Sequence, residues 1–300
     1  MINQPICTTF KNKEEKEQAR VRIWHISPHG YIHAKAMEDV AIALDAGFKE
    51  LGLNSEIIYS FSGATGKIII LGANLLVKIA TKEQIMNLPK DIILYNLEVI
   101  QEGSSWINNE YLELLKQFEV WDYSQQNIKN LEQMGISNIK FCGIGYEDSL
   151  TKIPQLSEDK KDIDVLFYGS MNERRKKVLD QLRANGLNVV VLFGKYGSER
   201  DEYIARSKII INIHYYEAKV FEIVRTSYLL ANKCFVVSEE GNDSNLEEPF
   251  VQGIAFSSYT QLVDTCMKYL KDKTAREKIA KKGFEIITSK KQSDYLKALI

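Results

Sequence analysis

Two stretches of this chain combine residue types suited to a bound anion. In the first, Phe167-Tyr168-Gly169-Ser170-Met171-Asn172-Glu173-Arg174-Arg175, an apolar run passes through a glycine turn into a polar, helix-like segment. A helix N-terminus gathers free backbone N–H groups and the positive end of a dipole, which suits a diphosphate. Gly169 lets the backbone approach closely. Arg174 and Arg175 add charge there or simply face water as first-turn residues. In the second stretch, Ile211-Asn212-Ile213-His214-Tyr215-Tyr216 leads through Glu217 to Phe221-Glu222-Ile223-Val224-Arg225. Glu222 and Arg225 stand three apart, so on a helix they either pair with each other or face a ligand together. A guanidinium fork matches the oxygens of a phosphate. His214 ends an apolar run, where an imidazole can hydrogen-bond a hydroxyl or act as a satisfied structural group.

Titratable groups also stand at turns in the first half of the chain. Ser27-Pro28-His29-Gly30-Tyr31-Ile32-His33 follows one apolar run, and Tyr95-Asn96-Leu97-Glu98 ends another. His29, His33 and Glu98 are therefore candidate bases. Other chemistries are disfavoured. GxGxxG and the Walker lysine motif do not occur, which argues against a dinucleotide fingerprint and a P-loop. Cys7, Cys142, Cys234 and Cys266 are far apart and form no CxxC pair, so neither a zinc site nor a disulfide framework is expected.

These residues need rigid elements to hold them. After a charged leader, Lys11 to Arg20, short apolar runs alternate with longer amphipathic stretches, the mark of βα units and parallel sheets. Strands are predicted at 21–26, 55–59, 67–71, 91–95, 119–123 and 139–143, with helices at 34–51, 109–117 and 125–134. The first helix is the clearest, because Ala36, Val40, Ala43, Leu44 and Phe48 share one face. The polar segment Ser157–Asp162 reads as a linker. Beyond it, strands are predicted at 164–168, 188–193, 208–213, 234–238 and 253–256, with helices at 173–185, 199–206, 220–232, 259–271 and 275–288. The expected architecture is α/β with two doubly wound, Rossmann-like domains, 1–156 and 157–300, the last helix returning to the first domain. In such sheets ligands bind beyond the carboxyl ends of the strands, where the candidates fall.

A length of 300 residues fits about two domains. With 39 basic against 40 acidic residues the net charge is -1, which disfavours a nucleic-acid partner. The N-terminus lacks the order of a signal peptide, and no apolar run approaches the ~20 residues of a membrane span, so a cytoplasmic protein is expected. The lysines between Lys268 and Lys291 form a basic helical region that reads as a solvated surface, with peripheral contact to anionic lipid as the alternative.

The strand, polar loop, helix, tight turn and strand of residues 211–239 resemble the donor-binding half of GT-B glycosyltransferases. Phe141-Cys142-Gly143-Ile144-Gly145-Tyr146 resembles the end of that family's N-terminal domain, and Val120-Trp121-Asp122-Tyr123-Ser124 its preceding strand and turn. The resemblance implies two domains facing across a cleft and transfer of a sugar from a nucleotide-sugar to an acceptor, with no cofactor; because the sequence offers no convincing metal cluster, transfer without a metal is expected. It implies donor contacts at Gly169, Ser170, Arg174, Gly194, Lys195, His214, Tyr215, Glu222, Arg225 and Ser227. On the acceptor side it implies a base among Glu98, His29 and His33. Asp162-Ile163-Asp164 resembles the metal motif of the other glycosyltransferase architecture, but it precedes a strand instead of following one.

One departure from the family stands out. Many retaining members carry two glutamates separated by seven residues, and those positions fall here on Lys219 and Ser227. Glu222 and Arg225 instead resemble a divergent branch that includes spore-coat-type transferases, which leaves retention and inversion both open. A sugar-nucleotide epimerase of the same fold, a binding module without turnover, and a transferase acting on modified DNA are the competing readings.

Overall fold

The structure, a computed structural model, describes residues 20–61, 66–100, 107–215 and 220–300; most of the charged leader, Cys7, Tyr216, Glu217 and Lys219 lie outside them. Two compact units result, one running to Glu147 and taking in Lys291–Ile300, the other spanning Asp148–Lys290. The α/β reading of the sequence is borne out. Each unit is built on one sheet whose paired strands are all parallel.

The first sheet contains β1 (Arg20–His25), β2 (Asn54–Ile58), β3 (Lys67–Leu71), β4 (Ile93–Asn96), β5 (Glu119–Asp122) and β6 (Ile139–Phe141), in the order β2-β1-β3-β4-β5-β6. The second contains β7 (Ile163–Tyr168), β8 (Val189–Leu192), β9 (Ser207–Asn212), β10 (Val236–Glu239) and β11 (Ala255–Ser257), in the order β11-β10-β9-β7-β8. Central strands such as Lys-Ile-Ile-Ile-Leu in β3 are apolar on successive residues because helices cover both faces of a parallel sheet. Ile68, Ile70, Leu94 and Val120 anchor one core, and Val165, Phe167, Ile209, Ile211 and Val237 the other. Winding reverses between β1 and β3 in the first sheet and between β7 and β9 in the second. Those reversals open a crevice at the carboxyl edge of each sheet.

Most predicted elements appear within a few residues of their expected bounds, and the exceptions have local causes. The predicted first helix opens as a 3-10 turn, Ile32–Met37, and becomes α-helical over Glu38–Glu50. Helix Ala73–Ile79 was not expected, because its apolar residues run on from β3 with only Gly72, at φ +82°, between them. Asp162 and Asp164, at the opposite edge from the crevice, pair with Arg206 and Lys208. Gln292, on the terminal helix Gln292–Lys297, accepts from the Gly145 N–H at 2.7 Å and donates to the Gly143 carbonyl at 3.2 Å. Within the basic region, Lys273 and Lys282 pair with Glu277 and Glu285, in keeping with a solvated face.

Helix Lys273–Thr288 packs close enough to its neighbours that a Cβ added to Gly283 would lie 2.6 Å from Leu230 Cδ2 and 2.7 Å from the Gly253 carbonyl. Gly283→Ala is expected to lower unfolding stability by about 1–3 kcal/mol in a denaturant titration. An unchanged midpoint would show that the helix does not sit so near.

Candidate functional site

The crevice of the second unit gathers side chains from β7, β9, β10 and the two helices that follow β7 and β9. At the end of β7, Gly169 takes φ +136°, a conformation that side-chain-bearing residues rarely adopt. A Cβ there would also lie 2.9 Å from Arg225 Nη2, so the glycine makes room for that guanidinium. Asn172 then caps helix Glu173–Ala184 by accepting from the Arg175 N–H at 2.9 Å.

The two arginines of that first turn are already engaged. Arg175 folds back so that Nε donates to the Ile213 carbonyl at 2.9 Å and Nη1 to the Ser170 carbonyl at 2.7 Å, with Nη2 3.6 Å from Glu222. Its guanidinium lies 5.1 Å from the ring centres of Phe167 and Tyr215. Burial first, then the charge of Arg225, bring it down to about 10 against the pull of Glu222. Arg174 spans both carboxylate oxygens of the fully buried Glu239 and donates to the His214 carbonyl at 3.1 Å. Its guanidinium also stacks on Tyr259 at 4.0 Å.

Asn212, fully buried at the end of β9, links the remaining groups. Its amide donates to Glu222 Oε2 at 2.8 Å and Ser238 Oγ at 3.0 Å, while its carbonyl oxygen accepts from Arg225 Nη1 at 3.0 Å. His214 Nδ1 lies 3.0 Å from Glu222 Oε2, with the geometry of an ion pair and not of an aligned hydrogen bond. Burial works to raise the Glu222 carboxyl, but His214, Arg225 and Asn212 together hold it at about 2. Burial likewise works to lower His214, yet Glu222, Glu239 and Glu247 carry it above its ordinary 6.5. The ring is 1% exposed, and its Nε2 has no hydrogen-bond partner among the described residues. Arg225 makes no ion pair among the described residues; apart from Asn212, it lies 5.1 Å from the centre of the Tyr168 ring.

The geometry therefore brings Gly169, Ser170, Arg174, His214, Tyr215, Glu222 and Arg225 into one cluster, and the Gly169 N–H donates to the Leu192 carbonyl at 3.0 Å, two residues before Gly194. Gly194 and Lys195 follow the edge strand β8, and the Lys195 ammonium pairs with Glu199 one turn further on. Ser227 sits inside helix Ile223–Ala231 and returns its hydroxyl to the Val224 carbonyl at 3.4 Å.

In the first unit, Glu98 stands just past β4 and accepts from Asn74 Nδ2 at 3.0 Å. Burial raises its carboxyl, opposed by Asn74 and Lys78. Tyr31 lies close enough that burial and the Glu98 charge raise its phenol, and its ring meets His33 edge-on at 5.5 Å. His29 is exposed on the turn before it.

Sequence reasoning gave no role to Asn212, Glu239 and His25. Each is a polar residue at the carboxyl end of an apolar strand, and that pattern was the available signal. His25 Nε2 is 2.8 Å from the Ala34 carbonyl, and burial lowers its pKa.

The Glu222 and His214 shifts set a testable window. A depressed carboxylate adds stability above its unfolded value near 4.5 that is lost as pH falls toward 2; a raised imidazole adds stability below 6.5 that is lost as pH climbs through its folded value. Glu222→Gln is expected to flatten the acid part of the stability profile, by at most about 3 kcal/mol. It should also lower the His214 midpoint read by NMR. An unmoved His214 midpoint would contradict the pairing.

No protein family profile matches the chain. In sequence it is 35% identical over 163 residues to the uncharacterized protein L140 of Acanthamoeba polyphaga mimivirus, covering 52% of each chain. It is 29% identical over 190 residues to the uncharacterized protein R358 of the same virus, covering 61% of this chain and 64% of that one. The chain spans about half the length, or less, of the first curated relatives it matches. Among solved structures, Anabaena HepE in complex with UDP-glucose matches with TM-score 0.62 and 13% identity over 93% of this chain and 98% of that one. Sucrose-phosphate synthase from Thermosynechococcus elongatus matches with TM-score 0.62 and 10% identity over 93% and 97%. AviGT4, a glycosyltransferase involved in avilamycin A biosynthesis, matches with TM-score 0.53 and 11% identity over 93% and 95%. With two parallel sheets and a likeness to glycosyltransferase structures over nearly its whole length, the chain has the GT-B fold.

Proposed function

We propose that this chain is a nucleotide-sugar-dependent glycosyltransferase whose second unit holds the donor diphosphate at Arg225 and His214. The carrying observation is the Arg225 guanidinium, which faces the Gly169 turn at the reversal between β7 and β9 and makes no ion pair among the described residues. Arg174 and Arg175 differ from it, since Glu239 and Glu222 already engage them; they build the site and Arg225 binds. The buried Nε2 of His214 supplies a second donor, which Glu222 favours in its charged form.

Glycosyl transfer separates a sugar from a diphosphate, so negative charge grows on the leaving phosphate as the anomeric bond breaks. Donors fixed in advance stabilise that charge most where water is excluded. Where configuration inverts, the acceptor hydroxyl must also lose a proton as it attacks. Glu98 fits that task, because burial makes its carboxylate a better proton acceptor. His29 is exposed and ranks behind it. Neighbours solved with UDP or UDP-glucose make uridine nucleotides the first donors to try.

Arg225→Ala is expected to weaken UDP binding by about 1.5–3 kcal/mol, the worth of a charged hydrogen bond. Glu98→Gln should bind donor normally and turn it over more slowly, since proton removal matters only in the transition state. Calorimetry and turnover measured side by side check both. Normal UDP affinity in Arg225→Ala, or full turnover in Glu98→Gln, would overturn these roles. Because Arg225 and His214 supply positive charge at the phosphate, turnover is expected to persist in excess chelator. Loss of activity that manganese restores would contradict that expectation.

A further inference from the structure

The first unit contains a buried polar network that none of the donor chemistry uses. It surrounds the short segment Glu98–Ile100, which follows β4. The Glu98 N–H donates to Asn96 Oδ1 at 3.2 Å, and its carbonyl accepts from Asn96 Nδ2 at 2.9 Å and from Asn127 Nδ2 at 3.0 Å. Two residues on, the Ile100 N–H donates to Asn127 Oδ1 at 3.0 Å, and its carbonyl accepts from Asn130 Nδ2 at 2.7 Å. Side-chain amides thus satisfy backbone groups that no strand partner reaches.

Behind these amides lies Asp122, fully buried at the end of β5. It accepts from Asn96 Nδ2 at 2.6 Å, from Asn127 Nδ2 at 3.1 and 3.3 Å, and from the Ser124 N–H at 2.8 Å. An asparagine amide can present either its oxygen or its nitrogen to a neighbour, whereas an ionised carboxylate only accepts. While Asp122 is ionised, Asn96 must turn its nitrogen inward. Its oxygen then faces the donors at Glu98 N and Tyr111 Oη, the latter at 2.8 Å. The same constraint orients Asn127. Turned the other way, Asn96 would set its nitrogen against two donors, and the segment would lose its register. Burial pushes the Asp122 carboxyl up to about 7 against the pull of Asn96, Ser124 and Asn127, a cost that an ordinary core residue would avoid.

We infer that Asp122 is a positioning residue: through Asn96 and Asn127 it fixes the backbone at Glu98 and so holds that carboxylate against Asn74, where it can serve as a base. The inference rests on the reading of Glu98 given above. Among the described residues only Asn74 donates to that carboxylate, through one oxygen.

The test follows the Glu98 carboxyl directly, by carbon-detected NMR of the full chain across pH, with Glu98→Gln to assign the signal. In Asp122→Asn the Glu98 midpoint is expected to fall toward the ordinary 4.5, because a loosened segment admits water to the carboxylate. UDP affinity, which reports on the second unit, should stay unchanged, while kcat for donor turnover drops on the order of 10–100-fold with KM little altered. Should Asp122→Asn fail to fold, Asn130→Ala removes only the bond to the Ile100 carbonyl and an exposed bond from Gln126, and should move the midpoint the same way by a smaller amount. A folded variant with an unmoved Glu98 midpoint would overturn the inference. A moved midpoint in a chain that turns over no donor would uphold the positioning and refute the transferase reading instead.

Discussion

The carboxyl edge of the second sheet depends on keeping one carboxylate, Glu222, ionised where burial favours its protonated form. Three groups achieve this: the His214 imidazole at 3.0 Å, the Asn212 amide at 2.8 Å and the charge of Arg225. The constraint propagates outward from there. A charged Glu222 draws a proton onto His214, orients the Asn212 amide so that its oxygen faces Arg225, and lies near enough to Arg175 to offset part of that buried charge. If Glu222 were neutral, His214 would lose its main reason to carry charge, and two arginines would face each other without a counterion. Arg175 is already drawn down to about 10, first by burial and then by the charge of Arg225.

Balance of this kind separates structural cations from binding ones. Four positively charged or chargeable groups converge on the crevice, and counting them would suggest a strongly cationic pocket. Pairing removes two: Arg174 is spent on Glu239, and Arg175 on two backbone carbonyls and Glu222. What is left is one guanidinium and one buried imidazole nitrogen, beside a glycine turn that no larger residue could form without displacing Arg225. That remainder is the diphosphate site proposed above.

The fold was legible in the sequence because strand and helix periods differ, and the second-unit candidates were legible because they cluster at strand ends. Residues 167–175 meet 211–215 and 222–225, since a parallel sheet brings the carboxyl ends of β7 and β9 side by side. The partnerships were not legible. Arg174 and Arg175 are adjacent and chemically identical, yet their tasks depend on Glu239, 65 residues away from Arg174, and on the carbonyls of Ile213 and Ser170. Lys195 pairs with Glu199 and Ser227 turns its hydroxyl back to the Val224 carbonyl, partnerships that the sequence positions alone do not reveal. Asp122 went unassigned because a single acid at a strand end looks like any other, and its two asparagine partners, Asn96 and Asn127, stand 31 residues apart in sequence.

The most direct measurement is a crystal structure of the full chain with UDP bound. The account requires the diphosphate at the Gly169 turn, with Arg225 Nη and His214 Nε2 within hydrogen-bond distance of its oxygens and Arg174 still paired to Glu239. A diphosphate bound elsewhere, or one held by Arg174 while Arg225 remains on Asn212 alone, would contradict it.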